Sequence, residues 1–493
     1  MKNSILVRLA PMLALTLGAA ACDGLTDLNE DPNAPTEVPA RFLLTDGQQD
    51  AADRLLGTSF NIDYSSVLVQ HLAQIQYAEE DLYLYRSADT DLLFREAYSG
   101  YLMDFHTVAR LGEAEGEPNV QAAGLIMKSW GMQNLTDMWG DLPYSEAFGG
   151  IEGGVITPKY DTQAQIYDKM LADVTAAAAM IKTGDNPLGA QDLIYGGNGA
   201  KWQKFANSLR LRMAMRMADA NPTKARTEFV AALAGPGGVF TSSADNAQIC
   251  YTSTTRNPWF TYWQSRPGDY RVGRVLVDTL KSLSDPRLSA FAQPITATKT
   301  YGGRTLAAGE MYYEGLPAGL AANNYGFTQV SQPGAALLAQ TACLPVLTYE
   351  EVLFLRAEAA ARGFTADNAQ AMYQAAVTAS MVRWGGTEAE AQAYLAQPRV
   401  MWNAANWRPL IGLQKWIALY GQGLEAYAEV RRLDNPVLRP GPDAVLQNSI
   451  PARYPYPFSE ETFNATNLQE AMTRQGITGA STAQTAKVWW DKS

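Results

Sequence analysis

Apolar residues recur at three- and four-residue steps over most of this chain, and that spacing predicts amphipathic helices. The pattern places helices over residues 42–57, 60–77, 91–111, 119–139 and 162–182, the last with Asp161 or Thr162 as its N-cap. Lys201 to Asp219 follows, with Trp202, Phe205, Leu209, Met213 and Met217 on one stripe. Lys204, Arg212 and Arg216 lie off that stripe and read as a solvated basic face rather than an anion site. From Gly235 to about Leu347 the periodicity fades. Gly, Pro, Thr and Ser rise, strand-like runs appear at Ala247–Tyr251 and Ile295–Tyr301, and one helix, Val272 to Leu283, stops at Asp285-Pro286. Helices resume at 349–362 and 366–384, joined by Arg362-Gly363-Phe364-Thr365, and again from Gly412 to Arg432. The tail from Pro436 is Pro-rich and reads as a surface wrap. These segments predict a mainly α fold with a loop-rich, short-β insertion at 235–347, a stretch too long to be a plain connection and therefore a candidate ligand face.

The first residues depart from this pattern. Lys2 and Arg8 form a positive start, Leu9 to Leu17 an apolar run, and Gly18-Ala19-Ala20-Ala21 a small-residue run before Cys22. The run is too short to span a membrane and reads as a signal peptide over 1–21, cut before a lipidated Cys22. Residues 22–40, polar and Pro-rich, then form a flexible tether, and 41–493 a single domain. Losing Lys2 and Arg8 with the leader takes the net charge from −11 to −13. Such acidity argues against nucleic acid, which needs clustered Lys and Arg, and against membrane contact through surface charge. The lipid on Cys22 is the one membrane attachment expected and the one non-protein group. Cys250 and Cys343 remain, and their spacing leaves open whether they are joined.

Common catalytic signatures (a G-x-S-x-G elbow, H-E-x-x-H, a P-loop, a calcium loop) are absent from the sequence. His71 and His106 sit in apolar helical patterns and read as satisfied core histidines. Acid pairs such as Glu79-Glu80 or Glu350-Glu351 could do glycosidase work, but nothing singles out a pair. No catalytic residue, cofactor or metal ligand is assigned. Aromatics outside helical stripes carry the binding candidates. Trp259, Tyr262 and Trp263 lie in one dense run, followed by Arg266 and Tyr270. Tyr77, Tyr83 and Tyr85 surround Glu79-Glu80-Asp81. Loop Trp and Tyr suit stacking on sugar rings or gripping peptide side chains; the competing reading is a small core that pins the long insertion.

Six segments carry a family resemblance. Behind Cys22 comes Asp27 to Asn33, then Trp139 to Ala147, Lys201 to Arg212, Asp285-Pro286-Arg287-Leu288, Leu347 to Ala359 and Gln414 to Tyr427. In this order the chain resembles the SusD/RagB family of nutrient-binding outer-membrane lipoproteins, in its SusD-like branch. Ala369, Tyr373 and Ala376 also show the spacing of a tetratricopeptide second helix. The resemblance implies tetratricopeptide-like helix pairs forming an α-α superhelical scaffold and no enzymatic activity. It implies a surface lipoprotein of the outer membrane, facing the exterior. That protein would bind an oligosaccharide, or a peptide, and deliver it to a SusC-like TonB-dependent transporter. The alternative is a structural or gating subunit of that transporter that binds nothing itself. Asp23, Asp27, Glu30 and Asp31 fit the export signals of such lipoproteins. The contact with the transporter is expected to involve residues 349–432.

Overall fold

A computed structural model describes residues 38–492 except 86, 296–299, 302–303, 306, 308–309, 323 and 480–481. The leader, Cys22, the acidic residues after it and the tether as far as residue 37 lie outside the described residues. From Ala40 onward the chain forms one unit, mainly helical.

Helix α1 (Ala40–Ala51) runs into a wider π-helical segment, Ala52–Ser65, with a break at Gly57. The helix expected to reach residue 77 ends at Leu68, because Gln70 turns left-handed (φ 56°) and Leu72–Gln74 become strand β1. The pattern read as one helix over 91–111 is two, α2 (Ser87–Ser99) and α3 (Tyr101–Glu115), parted at Gly100. There a Cβ would lie 2.5 Å from an Asp50 carboxylate oxygen and 2.6 Å from the Glu96 carbonyl. Helix α4 (Pro118–Trp139) begins on Pro118, whose missing N–H would be unpaired there anyway. Gly124 lets α4 press onto α3: a Cβ would lie 2.5 Å from the Ala109 nitrogen. Strands β2 (Leu142–Pro143) and β3 (Tyr160–Asp161) pair before α5 (Gln163–Met180). Thr162 caps α5 as the spacing predicts, in a reciprocal pair with Gln165.

Helices α6 (Gly199–Arg216) and α7 (Pro222–Leu233) precede β4 (Ala247–Cys250). The insertion then carries α8 (Pro258–Ser265), β5 (Tyr270–Val272), α9 (Arg274–Ser282), the hairpin β6 (Thr300–Tyr301) with β7 (Arg304–Thr305), and β8 (Cys343–Leu347). Helices α10 (Tyr349–Ala361), α11 (Ala369–Arg383) and α12 (Glu388–Leu395) follow, the last unforeseen. The run expected as one helix to Arg432 is α13 (Trp407–Ala418) and α14 (Gly423–Leu433), split where Gly421 takes φ 84°. The tail is more than a wrap: it forms α15 (Ala465–Arg474) and sends Tyr454 and Trp490 into the core.

Strand β4 pairs with β8, and a disulfide joins Cys250 to Cys343 at matched positions of the two strands. The bond ties the two ends of the insertion together.

Of the three basic residues read as solvated, Arg212 and Arg216 are buried, while Lys204 stays half-buried beside Asp245. Arg216 is 0% exposed and reaches Glu425 and Glu429 at 2.5 Å each, with Asp137 at 3.1 Å. Arg212 binds Glu351 bidentately at 2.7 Å. Lys415 and Arg432 complete the network through Glu429, and Arg432 also grips Glu358. Burial would raise the Glu429 carboxyl, yet Arg432, Lys415 and Arg216 hold it well below its usual range. The face read as solvated is therefore packed, its arginines, Arg212 and Arg216, met by the protein's own carboxylates from α4, α10 and α14. Glu350 and Glu351 are likewise committed, to Arg383 and Arg212.

Candidate functional site

Two aromatic groups far apart in sequence meet because β1 pairs antiparallel with β5, Leu72 opposite Val272 and Gln74 opposite Tyr270. That seam sets the loop after β1 beside the loop between α8 and β5. Asn257 caps α8, accepting from the Trp259 N–H at 3.0 Å, while its amide donates to the Leu337 and Ala339 carbonyls. The aromatic run read as irregular is thus helical, and spacing i, i+4 puts Trp259 and Trp263 on one face. That face points inward. Trp259 is 0% exposed, donates from Nε1 to the Leu56 carbonyl at 2.9 Å, and stacks on Trp263 at 5.7 Å between centroids.

Trp259 and Trp263 therefore form part of the core, with no face for a ligand. Tyr270 and Tyr83 are buried too, and Tyr85 is half-buried in a ring cluster with Tyr64 and Tyr454. Of the seven aromatic and basic candidates, Arg266 is exposed and Tyr262 half-buried beside it, while Tyr85, also half-buried, has its hydroxyl inside.

Around those two the structure builds a shelf. Tyr77 is 62% exposed, and the Arg266 guanidinium lies over its ring at 5.1 Å. Arg266 pairs with Asp269, which also accepts from the Tyr262 hydroxyl at 2.9 Å and the Gln76 amide at 2.6 Å. The second exposed ring is Phe327, at 51%. Its carbonyl accepts from Arg271 at 3.1–3.2 Å, and that guanidinium lies 5.7 Å from the ring. Gly268 makes room for it: a Cβ there would lie 3.1 Å from the Phe327 ring and 3.3 Å from the Gln76 amide. Tyr77, Gln76, Arg266 and Phe327 thus form one patch of apolar faces with polar edges. The sequence reading missed Phe327, although Tyr325-Gly326-Phe327 is an aromatic pair around a glycine inside the insertion.

Carboxylates lie behind the shelf. Asp63 accepts from the Tyr270 hydroxyl at 2.9 Å, and the Gln74 amide donates to that hydroxyl at 3.2 Å. Asp81 accepts from the Gln74 N–H at 2.7 Å and is buried. Burial pushes Asp81 up to about 7, against the backbone donors of Gln74 and Gly319. Its folded value lies above the ordinary 3.8, so the folded protein holds the extra proton between those two values. The stability that Asp81 contributes is present at acid pH and lost as pH rises through about 7. Asp81→Asn is expected to flatten about 1–3 kcal/mol of that loss. Melting temperatures of both proteins from about pH 5 to 8 measure it; parallel curves would rule Asp81 out as the source.

His71 holds no catalytic place. It is buried, its Nε2 3.0 Å from the Trp416 carbonyl, and burial pulls its pKa down to about 3. Among the described residues no group of His, Cys, Asp and Glu is set to hold a metal.

The SusD-like family model, described as starch-binding and associating with the outer membrane, matches residues 32–457. The chain belongs to the SusD-like family. A solved structure described as a chitin-binding protein is 30% identical, with TM-score 0.81, over 92% of this chain and 100% of the other. A SusD homologue from Bacteroides uniformis (24% identity, TM-score 0.79, 93% and 100% covered) shares the fold. So does a chitin-binding SusD homologue from Flavobacterium johnsoniae (24%, 0.78, 91% and 98%). No curated protein sequence matches. SusD-like proteins are binding proteins rather than enzymes, and the family is one of carbohydrate binders associated with the outer membrane. In this SusD-like chain no described helix is long and apolar enough to cross a membrane.

Proposed function

We propose that this protein is a cell-surface lipoprotein, anchored through Cys22, that holds an oligosaccharide on the Tyr77–Phe327 shelf and passes it to a SusC-like TonB-dependent transporter. The observation that carries the reading is the pair of large exposed rings joined by Gln76, Arg266 and Asp269. Sugar rings present apolar C–H faces to aromatic planes, while their hydroxyls bond to amide and guanidinium edges at the rim. The shelf offers both on an open surface, which suits an extended chain of sugars better than a small enclosed ligand. A relative named as chitin-binding makes β-linked N-acetylglucosamine chains the first probe.

Calorimetric titration with N-acetylchitohexaose and maltohexaose tests this. One of the two is expected to bind, and Tyr77→Ala and Phe327→Ala are each expected to weaken it about tenfold, roughly 1.4 kcal/mol. Melting temperatures should stay close to wild type, since both rings are exposed. Binding untouched by either change would sink the shelf. Peptide mixtures binding in place of glycans would redirect the cargo, and silence from both classes would favour the non-binding gating subunit.

A further inference from the structure

A second site lies on elements that the shelf does not use. Helices α3, α4 and α5 and the loop after β2 enclose a cavity of about 720 Å³, within the size range of small-molecule pockets. Its floor holds Lys128, in the middle of α4. The Lys128 ammonium lies over the Tyr144 ring at 5.5 Å and near the Phe148 ring at 5.7 Å, and is matched to no carboxylate among the described residues. The two acids within reach are engaged elsewhere. Asp161 accepts from the backbone N–H groups of Tyr144 (3.2 Å) and Ser145 (2.7 Å) and from the Ser145 hydroxyl (3.0 Å). Asp173 pairs with Lys169 and faces the Tyr144 hydroxyl at 3.5 Å. Burial draws the Lys128 amine below its ordinary value, with Lys169 adding to the effect and Asp173 opposing it. Lys128 is half-buried, and the Asp173 carboxylate that favours its charge is shared with Lys169; a partly desolvated ammonium so weakly matched favours one more negative group in the cavity.

We infer that the cavity binds a small hydroxylated acid, of one or two sugar rings, whose carboxylate lies on the Lys128 ammonium. At the exposed mouth the Ser145 hydroxyl, which donates to Asp161, can still accept, Gln165 gives its oxygen to Thr162 and keeps its amide N–H groups, and Lys169, paired with Asp173, keeps further N–H donors for the ligand's hydroxyls. Neutral glycan on the shelf and acidic sugar here are separate events, since the two sites share no residue.

Calorimetry with digalacturonate, its dimethyl ester and inorganic phosphate on the whole protein tests the proposal. Digalacturonate is expected to bind, with the ester at least about tenfold weaker, in line with a charge-assisted hydrogen bond. Lys128→Met should weaken the acid by a similar factor, while Lys128→Arg keeps it within about threefold. Tyr77→Ala should leave it unchanged. Melting temperatures of the Lys128 variants show whether the fold survives, and the ester comparison on the wild type stands without them. Equal binding of acid and ester, phosphate binding as tightly as the acid, or no binding of the acid at all would each overturn the inference.

Discussion

Arg216→Met is expected to destabilise the fold by about 3–5 kcal/mol, because it strips three carboxylates of their buried partner. Asp137, Glu425 and Glu429 all lie within ion-pair distance of that guanidinium, and every one of them is buried. Methionine fills much of the volume but supplies no charge. Glu425 is already raised by burial against the pull of Arg216 and Arg212, so losing Arg216 drives it further toward the neutral form. Destabilisation should therefore be smaller at pH 5 than at pH 8, where keeping those carboxylates charged costs most. A surface pair gives the contrast: Lys224→Met removes an exposed partner of Asp168 and should cost under about 1 kcal/mol. Urea unfolding of both variants reads the difference. Equal, small losses would mean that the network is dispensable to stability.

Trp259→Ala with Trp263→Ala is expected to cost several kcal/mol. A fully buried Trp→Ala change alone costs about 3–5 kcal/mol. The two rings stack on one another, so the losses will not simply add. The sequence left two readings of this run: a ligand clamp, whose removal would leave the melting temperature in place, and a small core pinning the insertion, whose removal would lower it. Burial of Trp259 against the π-helical segment, with its indole N–H on the Leu56 carbonyl, favours the second. Lost ligand binding in this double variant would report a loosened insertion, whereas loss in Tyr77→Ala or Phe327→Ala reports contact. A double variant that melts with the wild type would return Trp259 to the ligand face.

The helical scaffold was legible because packing helices must repeat apolar residues at their own pitch. Gln163–Met180 with its Thr162 cap and Tyr349–Ala361 fall where that pitch places them. Breaks at Gly100 and Gly421 were not legible, since an apolar stripe continues across a glycine that turns the chain. The α6 arginines were misread for a related reason. Periodicity separates apolar from polar faces, and it cannot tell a solvated polar face from one buried against acids 139 and 209 residues away in sequence. The family segments among the described residues proved to be scaffold. In Asp285-Pro286-Arg287, for example, Arg287 grips Asp285 and reaches Ser380 and Gln414. Those segments identify the fold and are silent on the ligand. Residues of the shelf come from three loops; a three-residue strand pairing joins two of them and the Arg271–Phe327 contact adds the third, and neither leaves a trace in any one loop alone.

The disulfide between β4 and β8 gives this architecture a further property. Because Cys250 and Cys343 fix the ends of the excursion to each other, its exposed loops can change length at little thermodynamic cost, although its buried part, α8 above all, cannot. Loop closure grows only with the logarithm of length, about 0.6 kcal/mol per doubling. Lengthening or trimming the segment around Phe327 would then alter which cargo is held while the helices beneath keep their register. One covalent clasp at the neck thus separates what the exposed loop may vary from what the frame must keep.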